Sequence, residues 1–77
     1  METIDKTTTA KAVGERVRER RKQMRITQLC LGMRCDGLYQ STVSKIERGE
    51  RYPFPETLSR LAMALGVSEN WLKYGED

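Results

Sequence analysis

The 77-residue sequence has no histidine, two cysteines, one tryptophan and one phenylalanine. Without histidine it lacks the commonest general base and a standard zinc ligand. Cys30 and Cys35 do not form a Cys-x-x-Cys pair, so nothing points to a bound metal. A disulfide between them is disfavoured within one short helix in a reducing compartment, and the ordinary expectation is a pair of buried thiols. There is no glycine-rich phosphate loop and no nucleophile–base pair at a suggestive spacing, so an enzyme is the reading with least support. No cofactor and no small-molecule ligand are indicated. No apolar run approaches the roughly 20 residues of a membrane span. The N-terminus, Met1 to Thr9, has no apolar core and is not a secretion signal. These features point to the cytoplasm and to no membrane partner.

What is present is compact and charged. The length fits one domain, whose small core is workable for a regular helical fold. The net charge is only +3, but it is unevenly placed. Between Glu15 and Arg25 lie Arg16, Arg18, Arg20, Arg21, Lys22 and Arg25, whereas Glu69, Glu76 and Asp77 lie near the other end. Such a basic stretch can attract phosphate without regard to sequence, or it can be an ordinary solvated helix face.

Residues 1–9 are polar, rich in threonine and without periodicity, and are expected to form a flexible arm. Residues 10–77 carry helical patterns, no strand pattern and no repeat. The first helix runs from about Ala10 to Arg25, with Val13, Val17 and Met24 on one face and Arg21 unexpectedly among them. The second starts at Thr27, a good N-cap, and continues through Cys35 with Leu31 on the same side. Gly37 marks a turn. The third spans about Tyr39 to Arg48 and stops at Gly49. Pro55 opens a fourth, in which Leu58, Leu61, Ala62 and Leu65 form a stripe that ends at Gly66. Ser68 caps a short fifth helix carrying Trp71 and Leu72 and ending near Gly75. The fold class expected is all-α, five short helices closing one core.

The third helix divides into two faces. Val43, Ile46 and Glu47 share one, and Gln40, Ser41, Ser44, Lys45 and Arg48 share the other. Amides, hydroxyls and cations are the groups that read base edges in a major groove, although an isolated amphipathic helix is more often just polar on its outer side. Glu47 stands among apolar neighbours, as Arg21 does in the first helix. A single buried charge would cost several kcal/mol, so the two are expected to pair as a structural ion pair.

The run Ile26-Thr27-Gln28, then Ser41-Thr42-Val43-Ser44-Lys45-Ile46-Glu47-Arg48-Gly49 and Pro53, resembles the lambda-repressor-like helix-turn-helix family of Cro/C1 or XRE type. Gly14 to Arg21 looks like its first helix. Glu56-Thr57-Leu58, Leu61-Ala62 and Leu65 to Ser68 look like its fourth helix and turn, and Trp71-Leu72 like its closing helix. The resemblance implies a phage or bacterial transcription regulator that binds duplex DNA at the nucleoid. It would most often be a repressor acting as a homodimer on a roughly palindromic operator. It implies base-facing roles for Gln40, Ser41, Ser44 and Lys45. Phosphate contacts would come from Gln28, Arg51, Tyr52, Arg48, and Arg16 and Arg20 of the first helix, and it matches Arg21 and Glu47 to the family's ion pair.

The sequence departs from that pattern in places. The turn through Asp36-Gly37-Leu38 is one residue longer than usual, which leaves the base-facing set open by about one position. Tyr39 stands where a small polar cap is usual, and it can either reach DNA or pack into the core. Leu29 and Cys30 fall where the family is usually acidic. Leu29 is either an ordinary exposed apolar residue or a contact for a partner or the arm. Gly32 takes the small position where the second and third helices approach. Other readings stay open: a DNA-binding fragment of a larger repressor, or a protein-binding adaptor or antitoxin on the same fold.

Overall fold

The computed structural model describes residues 8–76. It contains, among these residues, α1 (Ala10–Gln23), α2 (Gln28–Arg34), α3 (Gln40–Glu47), α4 (Pro55–Leu65) and α5 (Glu69–Tyr74). Most of the expected N-terminal arm, residues 1–7, lies outside the described residues. Thr9, its last member, belongs to the fold: its hydroxyl accepts the Ala12 N–H at 3.1 Å and caps α1. Thr27 and Ser68 do the same for α2 and α5, accepting from Cys30 at 3.0 Å and Trp71 at 2.9 Å. Pro55 occupies the first turn of α4, where its missing N–H is not needed.

The helix ends differ modestly from the sequence expectation. The first helix stops at Gln23 rather than Arg25, because Arg25 turns into the left-handed region at φ 59°. The Ile26 N–H then folds back onto the Arg21 carbonyl at 3.4 Å. At the end of α3 the Gly49 N–H bonds the Ile46 carbonyl and the Glu50 N–H bonds the Lys45 carbonyl, a Schellman closure.

The apolar stripes converge as their spacing requires. Val13 and Val17 of α1, Leu31 of α2, Val43 and Ile46 of α3, Leu58, Leu61 and Leu65 of α4 and Leu72 of α5 are all buried. Met24 and Trp71 pack against this cluster from its edge. Cys35 is buried with them and Cys30 is half-buried, and both are free thiols. Burial raises the Cys35 pKa, which keeps that thiol protonated and inert. No helix among the described residues is long and apolar enough to cross a membrane.

α1 is the spine of the molecule: it packs against α3, α4 and α5, while α2 packs against α3 and α4. The closest approach is at Gly14, where a Cβ would lie 2.1 Å from the Ile46 carbonyl oxygen and 2.9 Å from that of Glu47. At this point the first helix rests directly on the main chain of the third.

Gly14→Ala is expected to destabilise the domain by about 3 kcal/mol, the upper end of overpacking costs, because backbone rather than a flexible side chain must move. Gly37 has φ 88° and nothing within 4 Å of its missing Cβ, so Gly37→Ala should cost only the left-handed penalty of about 1–2 kcal/mol. Chemical denaturation of the two variants ranks them, and equal losses would remove the close contact as the reason for Gly14.

Candidate nucleic-acid interface

α3 carries the two faces that its sequence implies. Val43, Ile46 and Glu47 are buried; Gln40, Ser41, Lys45 and Arg48 are exposed, and Ser44 is half-buried. Tyr39 precedes the helix as an extended N-cap without a side-chain capping bond. It is 79% exposed, which rules out the core-packing alternative and leaves its hydroxyl at the outer surface. The result is a hydrophilic ridge standing on an apolar base.

Glu47 is the anchor of that base. Arg21 Nε donates to Glu47 Oε2 at 2.6 Å and Nη2 donates to Oε1 at 3.0 Å, a two-pronged pair. The remaining arm, Nη1, donates to the Ile26 carbonyl at 2.9 Å. Gln28 Nε2 adds a further donor to Glu47 Oε1 at 3.1 Å. Both side chains are largely withdrawn from water, at 13% and 3% exposure. The hydrogen bond it donates to Glu47 holds the Arg21 pKa above its ordinary value, against the opposing effect of burial. The bonds tie α1, the turn after it, the first residue of α2 and the back of α3 at one point.

At the far end of α3 a second, exposed arrangement is found. Arg48 Nε donates to Glu50 Oε2 at 2.7 Å, Nη2 donates to Oε1 at 3.3 Å, and Nη1 donates to the Ser44 hydroxyl. These hydrogen bonds raise the Arg48 pKa and lower that of Glu50. Arg51 is exposed in the loop beyond. Tyr52 donates its hydroxyl to Thr8 at 3.1 Å, fastening the loop to the residues before α1.

The turn between α2 and α3 is built around two left-handed residues, Asp36 at φ 65° and Gly37 at φ 88°. Aspartate tolerates that region better than most residues. The Leu38 N–H still reaches back to the Gly32 carbonyl at 2.9 Å. Gly32 leaves room for it, since a Cβ there would lie 2.2 Å from the Leu38 oxygen. Arg60 of α4 steadies the turn from outside, 3.7 Å from Asp36 and 3.0 Å from Glu56.

Comparison with known proteins gives this arrangement a family. Residues 17–72 match the family described as helix-turn-helix. The chain belongs to the helix-turn-helix family. It is 39% identical to repressor protein C2 of Salmonella phage P22 over 83% of its length, which is 29% of that protein. It is 34% identical to the HTH-type transcriptional regulator DicA of Escherichia coli over 84% of its length, 47% of that protein. The chain thus spans less than half the length of either curated relative. The crystal structure of the P22 c2 repressor with a synthetic operator superposes with a TM-score of 0.79 at 39% identity, covering 83% of this chain and 96% of that one.

Within this frame the residues singled out from sequence fall into two groups. Gln40, Ser41, Lys45 and Tyr39 face outward, and Arg51 is exposed beside them. Arg16, Arg20 and Gln28, read from sequence as phosphate contacts, are turned to other partners. Arg16 Nη1 donates to the Leu72 and Lys73 carbonyls at 3.0 and 2.9 Å, closing the end of α5. Arg20 Nε donates to the Leu65 carbonyl at 2.8 Å, closing the end of α4. The physical reason is that the last carbonyls of a helix need donors, and a guanidinium also suits the negative end of the helix dipole. Gln28 serves the buried carboxylate. Leu29 is exposed, at 56%. Gly14 and Glu50 were not singled out from sequence. An isolated glycine inside a helical pattern was the available signal for the first. For Glu50, beyond the helix end, periodicity offers none.

Removing one member of the ion pair leaves the other charge stranded. Arg21→Met is expected to cost about 3–5 kcal/mol, while Arg21→Met with Glu47→Leu should recover much of that loss. Urea unfolding of the single and double variants reads this directly. A double variant no more stable than the single one would show that the pair does not act as a unit.

Proposed function

We propose that the chain is a sequence-specific DNA-binding transcription regulator, acting as a repressor, that inserts α3 into the major groove of an operator. The observation that carries this reading is the outward row Gln40, Ser41 and Lys45 on a helix whose opposite face is held by buried apolar side chains and a buried ion pair. Base readout needs both halves: side chains with donors and acceptors at the surface, and a mount rigid enough to aim them. The relative whose structure superposes over nearly its whole length was crystallised with a synthetic operator, which supports a DNA-binding reading of this chain.

In this reading Gln40, Ser41, Ser44 and Lys45 face base edges. Arg51 and Tyr39 meet phosphate at either end of α3 and fix its register, while Tyr52, its hydroxyl given to Thr8, holds the loop that presents Arg51. Arg16 and Arg20 hold the fold instead. A single unit of this size contacts few base pairs, so the regulator binds as a homodimer on an approximately two-fold symmetric site, with half-sites about one helical turn apart. It acts in the cytoplasm, on the nucleoid.

Selection of bound duplexes from a random pool should yield a preferred, two-fold symmetric motif; recovery of no motif would sink the proposal. Gln40→Ala or Lys45→Ala should relax preference at particular base pairs by about 1–3 kcal/mol each. Arg51→Ala should weaken binding to every sequence and flatten the salt dependence by about one unit. Arg20→Ala should leave that slope unchanged and lower stability by about 1.5–3 kcal/mol, the range for a hydrogen bond from a charged donor. A flattened slope for Arg20→Ala would return it to the phosphate contacts.

A further inference from the structure

Of the exposed cations at the outer face, Arg48 differs in having its recognition edge already filled. The Nε and Nη2 edge of a guanidinium is the fork that grips a carboxylate or a phosphate with two parallel bonds. In Arg48 that fork is closed on Glu50, at 2.7 and 3.3 Å, and Nη1 is directed onto the Ser44 hydroxyl. Both ionic side chains are exposed, at 55% and 53%, so burial does not force the pairing. The main chain arranges it: the left-handed turn at Gly49 and the Glu50 N–H bond to the Lys45 carbonyl place Glu50 beside the last turn of α3. The hydrogen bond from Arg48, with a smaller contribution from the charge of Lys45, holds the Glu50 carboxyl below its ordinary pKa.

We propose that Glu50 is a specificity-determining residue: its carboxylate stands in for a DNA phosphate on Arg48 and braces the guanidinium beside Ser44, on the base-facing side of α3. This rests on the DNA-binding reading of α3 and replaces the phosphate role that the family resemblance implies for Arg48, since its guanidinium is held by Glu50 and Ser44. An unbraced arginine at this site would seek any nearby phosphate, which strengthens binding to all sequences alike. A carboxylate two residues away on the same loop competes with that phosphate at high effective concentration. Duplex of arbitrary sequence therefore loses a contact that it would otherwise gain, and the ratio of specific to non-specific affinity rises. An exposed pair is weak, so the effect is modest and local.

The test compares the whole chain with Glu50→Gln, Arg48→Ala and the double variant. Binding is measured by fluorescence anisotropy over a range of salt, to the duplex preferred in selection and to a scrambled duplex of equal length. Glu50→Gln should tighten binding to the scrambled duplex by about two- to fivefold and steepen its salt dependence by about 0.9. It should leave the preferred duplex within about twofold, so that discrimination falls. In the Arg48→Ala background the same change should have no effect on discrimination, because no guanidinium is left to release. Discrimination unmoved by Glu50→Gln, or reduced equally with and without Arg48, would overturn the role of Glu50. Failure of the unaltered chain to bind either duplex would overturn the DNA-binding reading itself.

Discussion

The contact between Arg21 and Glu47 spans from the first helix to the back of the third, and the N-terminal half of the molecule meets there. Two charges taken out of water are costly unless their remaining donors and acceptors are also satisfied. Here they are, by the Ile26 carbonyl on one side and the Gln28 amide on the other. Such an arrangement works in one relative position of α1, the following turn and α2. Close packing at Gly14 fits α3 against α1 by shape. The fork of hydrogen bonds adds a directional constraint to the angle at which the outer ridge is presented.

The same helix that supplies Arg21 also organises the C-terminal half. Arg16 and Arg20 lie one turn apart on α1 and donate to carbonyls at the ends of α5 and α4. Successive arginines of one basic run are thus used for internal joints, and what reads in one dimension as a field for phosphate is in part a set of fasteners. Fewer exposed cations are left at the surface than the raw charge run suggests, which in the proposed DNA-binding reading puts more of the recognition on the small outer row of α3.

Much of this was legible in the sequence. The helical stripes, the caps at Thr27 and Ser68, the glycine stops and the pairing of Arg21 with Glu47 follow from spacing and from the cost of a lone buried charge. The outer row on α3 follows from the same arithmetic. What was not legible depends on contacts between elements. Which carbonyls an arginine reaches is decided by where another helix ends, so Arg16 and Arg20 could not be told from free cations. The exclusion of any side chain at Gly14 appears only when α3 is laid across it. The left-handed turn at Arg25 has no glycine or asparagine to announce it. The Arg48–Glu50 pairing depends on the direction of the chain after Gly49, which local periodicity does not encode.

The lone tryptophan has a practical consequence. Trp71 lies at the margin of the core on α5, the short helix that packs on α1 and α4 and whose end is closed by Arg16. Its indole ring is half-buried, and its surroundings change if that last segment lifts away. The molecule therefore carries its own optical gauge: intrinsic emission follows the seating of the C-terminal segment without any attached dye.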